Sequence, residues 1–151
     1  MHSLVHRGSE TSRDGFSLIE TLIVVVAMGL MLVIAAPRVS SGLARANVEN
    51  ARSATGALYA KARITALQLR KPATLNFSGG RVWITVPRGV GLDTVGAVTN
   101  LAVEYGVAMA ATGNPTILPT GLLSGSTAIQ VGFTKGYSKD SLMISGYGRI
   151  Q

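Results

Sequence analysis

The feature that most constrains this chain is an apolar run at residues 16–36, FSLIETLIVVVAMGLMLVIAA, closed by Pro37. As a helix rising ~1.5 Å per residue, the run reaches roughly 30 Å, the thickness of a bilayer core. Its uninterrupted apolar part, residues 22–36, is short for a span by itself, so a crossing helix must include Ser17, Glu20 and Thr21. Glu20 is therefore informative. A carboxylate inside a membrane helix costs about 2.5–3.5 kcal/mol on insertion scales and is usually paired or functional. The plainer alternative is that Glu20 marks the interfacial edge of a shorter helix. A cationic partner arises if the chain is cut after Gly15, which leaves an α-amino group at Phe16, four residues from Glu20.

Residues 1–15 are polar and near neutral, with Arg7 and Arg13 set against Glu10 and Asp14, and hold too little apolar surface to pack. After Pro37 the chain reads as soluble protein in one domain. Residues 38–70 lack proline and are rich in Ala, Leu, Arg and Gln, which favours helix. At about 100° per residue, Val39, Leu43, Ala46, Ala54, Ala57, Leu58 and Ile64 share one broad face, expected to lie on the following β domain. Arg38, Arg45, Arg52, Arg63 and Arg70 gather on the other side within roughly 40°. That stripe is either a solvated face or a contact for a neighbouring subunit or polyanion. Lys61 falls out of phase, toward the apolar face. One long helix from about Phe16 to Leu69, bent near Pro37, is the expectation.

Lys71-Pro72 stops the helix. Ala73–Ser78 and residues 81–87 alternate around Gly79-Gly80, a β-hairpin signal. Weaker strands are expected at residues 98–105, 127–134 and 140–145. Gly89-Val90-Gly91 lacks the phosphate-loop pattern and marks a turn. The fold class is thus α+β, a long N-terminal helix on a small antiparallel sheet.

The chemistry is sparse. There is no cysteine, and both histidines lie in the first six residues, so thiolate or histidine metal sites and Ser/His or Cys/His nucleophiles are excluded from the body. The acids beyond residue 71 are Asp93, Glu104 and Asp140, too scattered in sequence for a carboxylate pair. No enzyme, cofactor or metal is expected. The net charge of +7 fits either anionic partners or a soluble basic surface.

Arg13-Asp14-Gly15-Phe16-Ser17-Leu18-Ile19-Glu20 resembles the prepilin processing site of type IV pilins and type II secretion pseudopilins. The resemblance implies a leader, residues 1–15, cut between Gly15 and Phe16 by the prepilin peptidase, and N-methylation of Phe16. Glu20 then neutralises a neighbouring subunit's N-terminus during assembly, and Pro37 falls where pilins commonly kink. Ala60-Lys61-Ala62-Arg63, the hairpin and the ending Ile144-Ser145-Gly146-Tyr147-Gly148-Arg149-Ile150 are similar to the GspH/FimT group of minor pseudopilins and minor pilins. Residues 16–37 become the transmembrane and assembly helix. Residues 38–151 become a periplasmic headpiece, with an amphipathic helix at 38–70 and a β region at 72–151. The implied protein is a structural subunit held in the inner membrane by a single pass and then built into a secretion pseudopilus or pilus-like filament. Its implied partners are other subunits, the inner-membrane assembly platform and membrane lipid.

Two alternatives stand beside this. One is a DNA receptor in natural transformation, acting through the arginine stripe and Arg149; some DNA-uptake members end in Gly-Arg-x-Arg, but here Gln151 stands where the second arginine belongs. The other is an uncleaved single-pass adaptor. Arg38, Arg45 and Arg52 after the span, against Arg7 and Arg13 before it, favour a cytoplasmic C-terminal side by the positive-inside rule, which is weak for long translocated domains. Mass spectrometry of the membrane fraction is expected to find a chain beginning at methylated Phe16. An intact Met1 in a host with active prepilin peptidase would contradict processing.

Overall fold

The computed structural model describes residues 16–151; the leader 1–15, with Gly15, lies outside the described residues. One helix, α1, runs Leu18–Leu69 and continues through Pro37. It passes from a first unit, described over residues 16–38, into a second, Val39–Gln151. It ends where Arg70 turns to φ 50°, the left-handed conformation that closes many helices, with Pro72 just beyond.

The described part of the first unit is helix alone. Its large apolar side chains, from Leu18 to Ile34, are all exposed. Among the described residues α1 is the helix long and apolar enough to cross a membrane.

In the second unit the rest of α1 packs on two antiparallel sheets. The hairpin forms as expected, with β1 at Ala73–Ser78 and β2 at Arg81–Arg88. Gly79 and Gly80 both take positive φ, 57° and 75°, which a two-residue turn of this hand requires. Gly80 has a second reason to be glycine, since a Cβ there would stand 2.6 Å from the Ala102 Cβ. After the Gly89-Val90 turn, β3 (Gly91–Asn100) returns along β2 with a register shift between Val82 and Ile84. The strand expected at 98–105 is overturned beyond Asn100. There the Asn100 side chain accepts from the Val103 N–H at 3.2 Å and caps a short helix, α2, at Leu101–Glu104.

Two further strands had no clear pattern in the sequence, β4 at Ala108–Ala111 and β5 at Thr116–Ile117. The last two, β6 at Ile129–Lys135 and β7 at Ser138–Ile144, match the expected segments with shifted ends. The single expected sheet is therefore two: β3-β2-β1-β5 and β4-β6-β7. Leu75, Val82 and Ile84 from the first sheet, and Val131, Phe133, Leu142 and Ile144 from the second, share one core with α1.

The face that α1 turns to this core is not the expected one. Val48, Ala51, Thr55, Tyr59, Ala62, Thr65 and Ala66 are buried. Val39, Leu43, Ala46, Ala57 and Ile64 are exposed, and Ala54 and Leu58 half-buried. The physical reason is volume. Three alanines at nearly zero exposure leave room beneath the helix for the large side chains of the sheets, and leucine or isoleucine on that face would overfill the space. Buried Thr55 is satisfied locally, its hydroxyl donating to the Ala51 carbonyl at 2.8 Å. Lys61 flanks this face with Nζ resting over Gly96 of β3.

Ala62→Leu and Ala66→Leu are each expected to destabilise the head by about 1–3 kcal/mol through overpacking. Leu43→Ser, on the exposed face, should stay within about 0.5 kcal/mol. Urea unfolding of the full chain in detergent, followed by the emission of the single tryptophan, Trp83, measures both.

Candidate assembly surfaces

At the start of α1 the Ser17 hydroxyl accepts from the Ile19 N–H at 3.2 Å, which makes Ser17 the N-cap. Glu20 lies in the first turn, its N–H donating to the Ser17 carbonyl at 3.0 Å. Ser17-x-x-Glu20 is thus the sequence pattern of a capping box, a signal present in the sequence that the membrane reading of Glu20 passed over. A carboxylate there also complements the positive end of the helix. Phe16 and Glu20 are both exposed.

Along Val39–Leu69, the surface opposite the buried alanines presents Val39, Leu43, Ala46, Ala57 and Ile64. Val39 is 70 % exposed, Leu43 62 % and Ile64 54 %, a degree of exposure seldom gathered in one stripe without a partner.

The arginines are not one solvated set. Arg38 ends the first unit, and Arg70 is the left-handed residue at the helix end. Arg52 turns onto β7, where Nε donates to the Ser141 carbonyl at 3.1 Å and lies 3.7 Å from the Asp140 carboxylate. Arg45 lines a small cleft with Glu49, Lys139 and Asp140, a place of mixed charge. Arg63 and Arg149 meet in another hollow beside Tyr59.

The C-terminal segment makes that meeting happen. Ser145 and Arg149 close a turn, the Ser145 N–H donating to the Arg149 carbonyl at 2.8 Å, and Met143 and Gln151 exchange two backbone bonds of 3.1 and 2.9 Å. Gly148 takes φ 76°, and a Cβ on it would stand 2.9 Å from the Tyr59 hydroxyl. That hydroxyl donates to the Gly148 carbonyl at 3.2 Å, tying the turn to α1. Burial pushes the Tyr59 phenol above its ordinary value, and the Arg63 charge pulls it partway back.

This arrangement, a long N-terminal helix laid through a small-residue face on antiparallel sheets with its other apolar surfaces bare, is the pilin fold. Among solved structures the chain is similar to the type IV minor pilin FimU of Pseudomonas aeruginosa strain PAO1. One crystal form gives a TM-score of 0.59 at 19% identity, over 71% of this chain and 88% of that chain. A second gives 0.55 at 18%, over 68% and 90%. At such identity the likeness is one of fold. No protein-family model matches the chain, and no curated protein sequence matches it.

Tyr59→Phe is expected to leave the buried Gly148 carbonyl unpaired and to destabilise the head by roughly 1–2 kcal/mol. Because the folded phenol titrates above the unfolded value of 10.0, the stability linked to its proton is complete below pH 10 and falls as pH rises through the folded value. The native chain should therefore lose stability faster than Tyr59→Phe above pH 10. Unfolding curves of both proteins across that range measure the difference.

Proposed function

We infer that the chain is a minor pilin or pseudopilin, a structural subunit rather than an enzyme. In this reading prepilin peptidase cuts between Gly15 and Phe16, and residues 16–37 hold the subunit in the inner membrane with the head, 38–151, in the periplasm. Assembly on an inner-membrane platform then carries it into a filament that serves secretion or a pilus.

The observation that carries this is the exposed apolar surface of α1. A bilayer accounts for the bare side chains from Leu18 to Ile34. It leaves Val39, Leu43, Ala46, Ala57 and Ile64 on the head uncovered. Packing against the helices of neighbouring subunits covers both, whereas an uncut membrane adaptor covers only the first. Within such a low-dielectric helix bundle an unpaired ammonium at Phe16 is costly, and the Glu20 carboxylate of a neighbour is the counter-charge.

Capping and ion pairing by Glu20 separate in one comparison. Glu20→Gln retains a side chain suited to the capping box and loses the charge. The variant is expected to be cleaved and inserted normally yet absent from sheared filaments. Incorporation of Glu20→Gln at the native level would assign Glu20 to the helix cap alone. In parallel, Leu43→Asp with Ile64→Asp should keep a native Trp83 emission spectrum and fail to enter filaments. Normal incorporation of that double variant would overturn the filament reading of this face.

A further inference from the structure

The fold draws Arg63, from α1, and Arg149, from the C-terminal turn, into one notch of about 310 Å³ walled by Tyr59, Ala60, Gly148 and Ile150. Among the described residues neither guanidinium is within ion-pair distance of a carboxylate. Arg52 differs, being committed to Asp140 and the Ser141 carbonyl. Two cations lining one hollow favour an anion within it, which gains charge-assisted hydrogen bonds from either guanidinium. The Tyr59–Gly148 hydrogen bond holds the C-terminal turn against α1, and the Arg63 guanidinium lies over Gly121, where no side chain intervenes.

A second hollow of about 310 Å³, walled by Leu122, Leu123, Gly146 and Tyr147, opens beside it. Gly148 connects the two, its side facing Gly121 and Leu123. Leu122 is 51 % exposed and Tyr147 83 %.

We propose that the Arg63–Arg149 notch and this adjoining apolar hollow form a docking surface for a carboxylate-bearing segment of a different protein chain, an acidic neighbouring subunit. Arginine and tyrosine beside bare leucine is the composition of a protein interface core. Tight binding to a nucleic-acid backbone needs a track of cations meeting many phosphates. That track is interrupted, because Arg52 is neutralised by Asp140 and Arg45 shares its cleft with Glu49 and Asp140. A second copy of this chain is a poor source of the carboxylate. After Arg38 its acids are Glu49, Asp93, Glu104 and Asp140, and Asp93 and Asp140 are paired with Arg88 and Arg52. The proposal rests on the filament-subunit reading only in naming the partner a subunit, and its test needs no filament.

The test is fluorescence anisotropy on the full chain in detergent with three labelled probes: a peptide of alternating Glu and Leu, its Gln-for-Glu counterpart, and a duplex DNA. The Glu peptide should bind and the Gln peptide should not. Arg63→Gln and Arg149→Gln should each weaken binding roughly tenfold, while Arg81→Gln, an exposed arginine on β2, leaves it unchanged. Arg149→Lys should retain part of the affinity, as a charge without the planar fork. Should Arg63→Gln alter the Trp83 emission, the exposed Arg149 carries the test alone. Equal losses from all three Gln variants would mean unspecific charge attraction and overturn the notch. Duplex DNA binding more tightly than the peptide, with the same dependence on Arg149, would replace the carboxylate by phosphate. Self-association of the chain abolished by Arg149→Gln would put a second copy in the notch. Either result overturns the proposal.

Discussion

The volume available between α1 and the two sheets is the constraint on which the rest of the structure depends. Ala51, Ala62 and Ala66 are fully buried, and Tyr59 is the one large side chain of that face at comparable depth. With that face filled, most of the helix's other bulky apolar residues lie elsewhere. Val39, Leu43 and Ile64 therefore point outward, where each forgoes part of the ~1.5–3 kcal/mol that burial of such a side chain contributes. A helix that turns its small residues inward and leaves many large ones bare carries apolar surface that only a bilayer or another molecule can cover.

That same inversion explains what the sequence revealed and what it concealed. The β1–β2 hairpin was legible because its cause is local: two adjacent glycines supply both positive φ values between alternating strands. The helix was legible from composition, and its stop from Lys71-Pro72. Its buried face was not, because periodicity counts hydrophobicity and ignores volume, so Leu43 and Ile64 outweighed Ala62 and Ala66. The strand expected through residue 105 failed at a single side chain, Asn100, whose cap turns the chain into α2. The two short strands β4 and β5 have too few residues to show alternation. The Arg63–Arg149 notch depends on a bond between Tyr59 and Gly148 that spans 89 positions, and no local pattern announces it.

The arginine stripe shows how one sequence regularity divides on folding. A common side of the helix suggested one set of five cations. Their environments are set instead by what each meets across the helix: β7 for Arg52, a mixed-charge cleft for Arg45, the C-terminal turn for Arg63. At 3.7 Å and roughly two-fifths exposed, the Arg52–Asp140 pair adds little to stability. Its other effect is to set a carboxylate against one cation of the stripe.

Glu20 shows why a structural and an assembly role need not compete. A carboxylate in the first turn of a helix already sits against the partial positive charge of unpaired N–H groups. That preference holds α1 regular up to Ser17 in an isolated subunit. The proposed cut before Phe16 would add a full positive charge to the same end of the helix, so that each subunit would carry both an ammonium and a carboxylate near the first turn. Within one chain the two would be separated along the axis by the rise of four residues, about 6 Å, the spacing at which helical ion pairs form. A neighbouring helix displaced along the axis by that rise would bring its own ammonium level with this carboxylate and compete for it. The preference for a carboxylate at this end of the helix therefore holds in the isolated subunit and, on the proposed reading, in the filament alike.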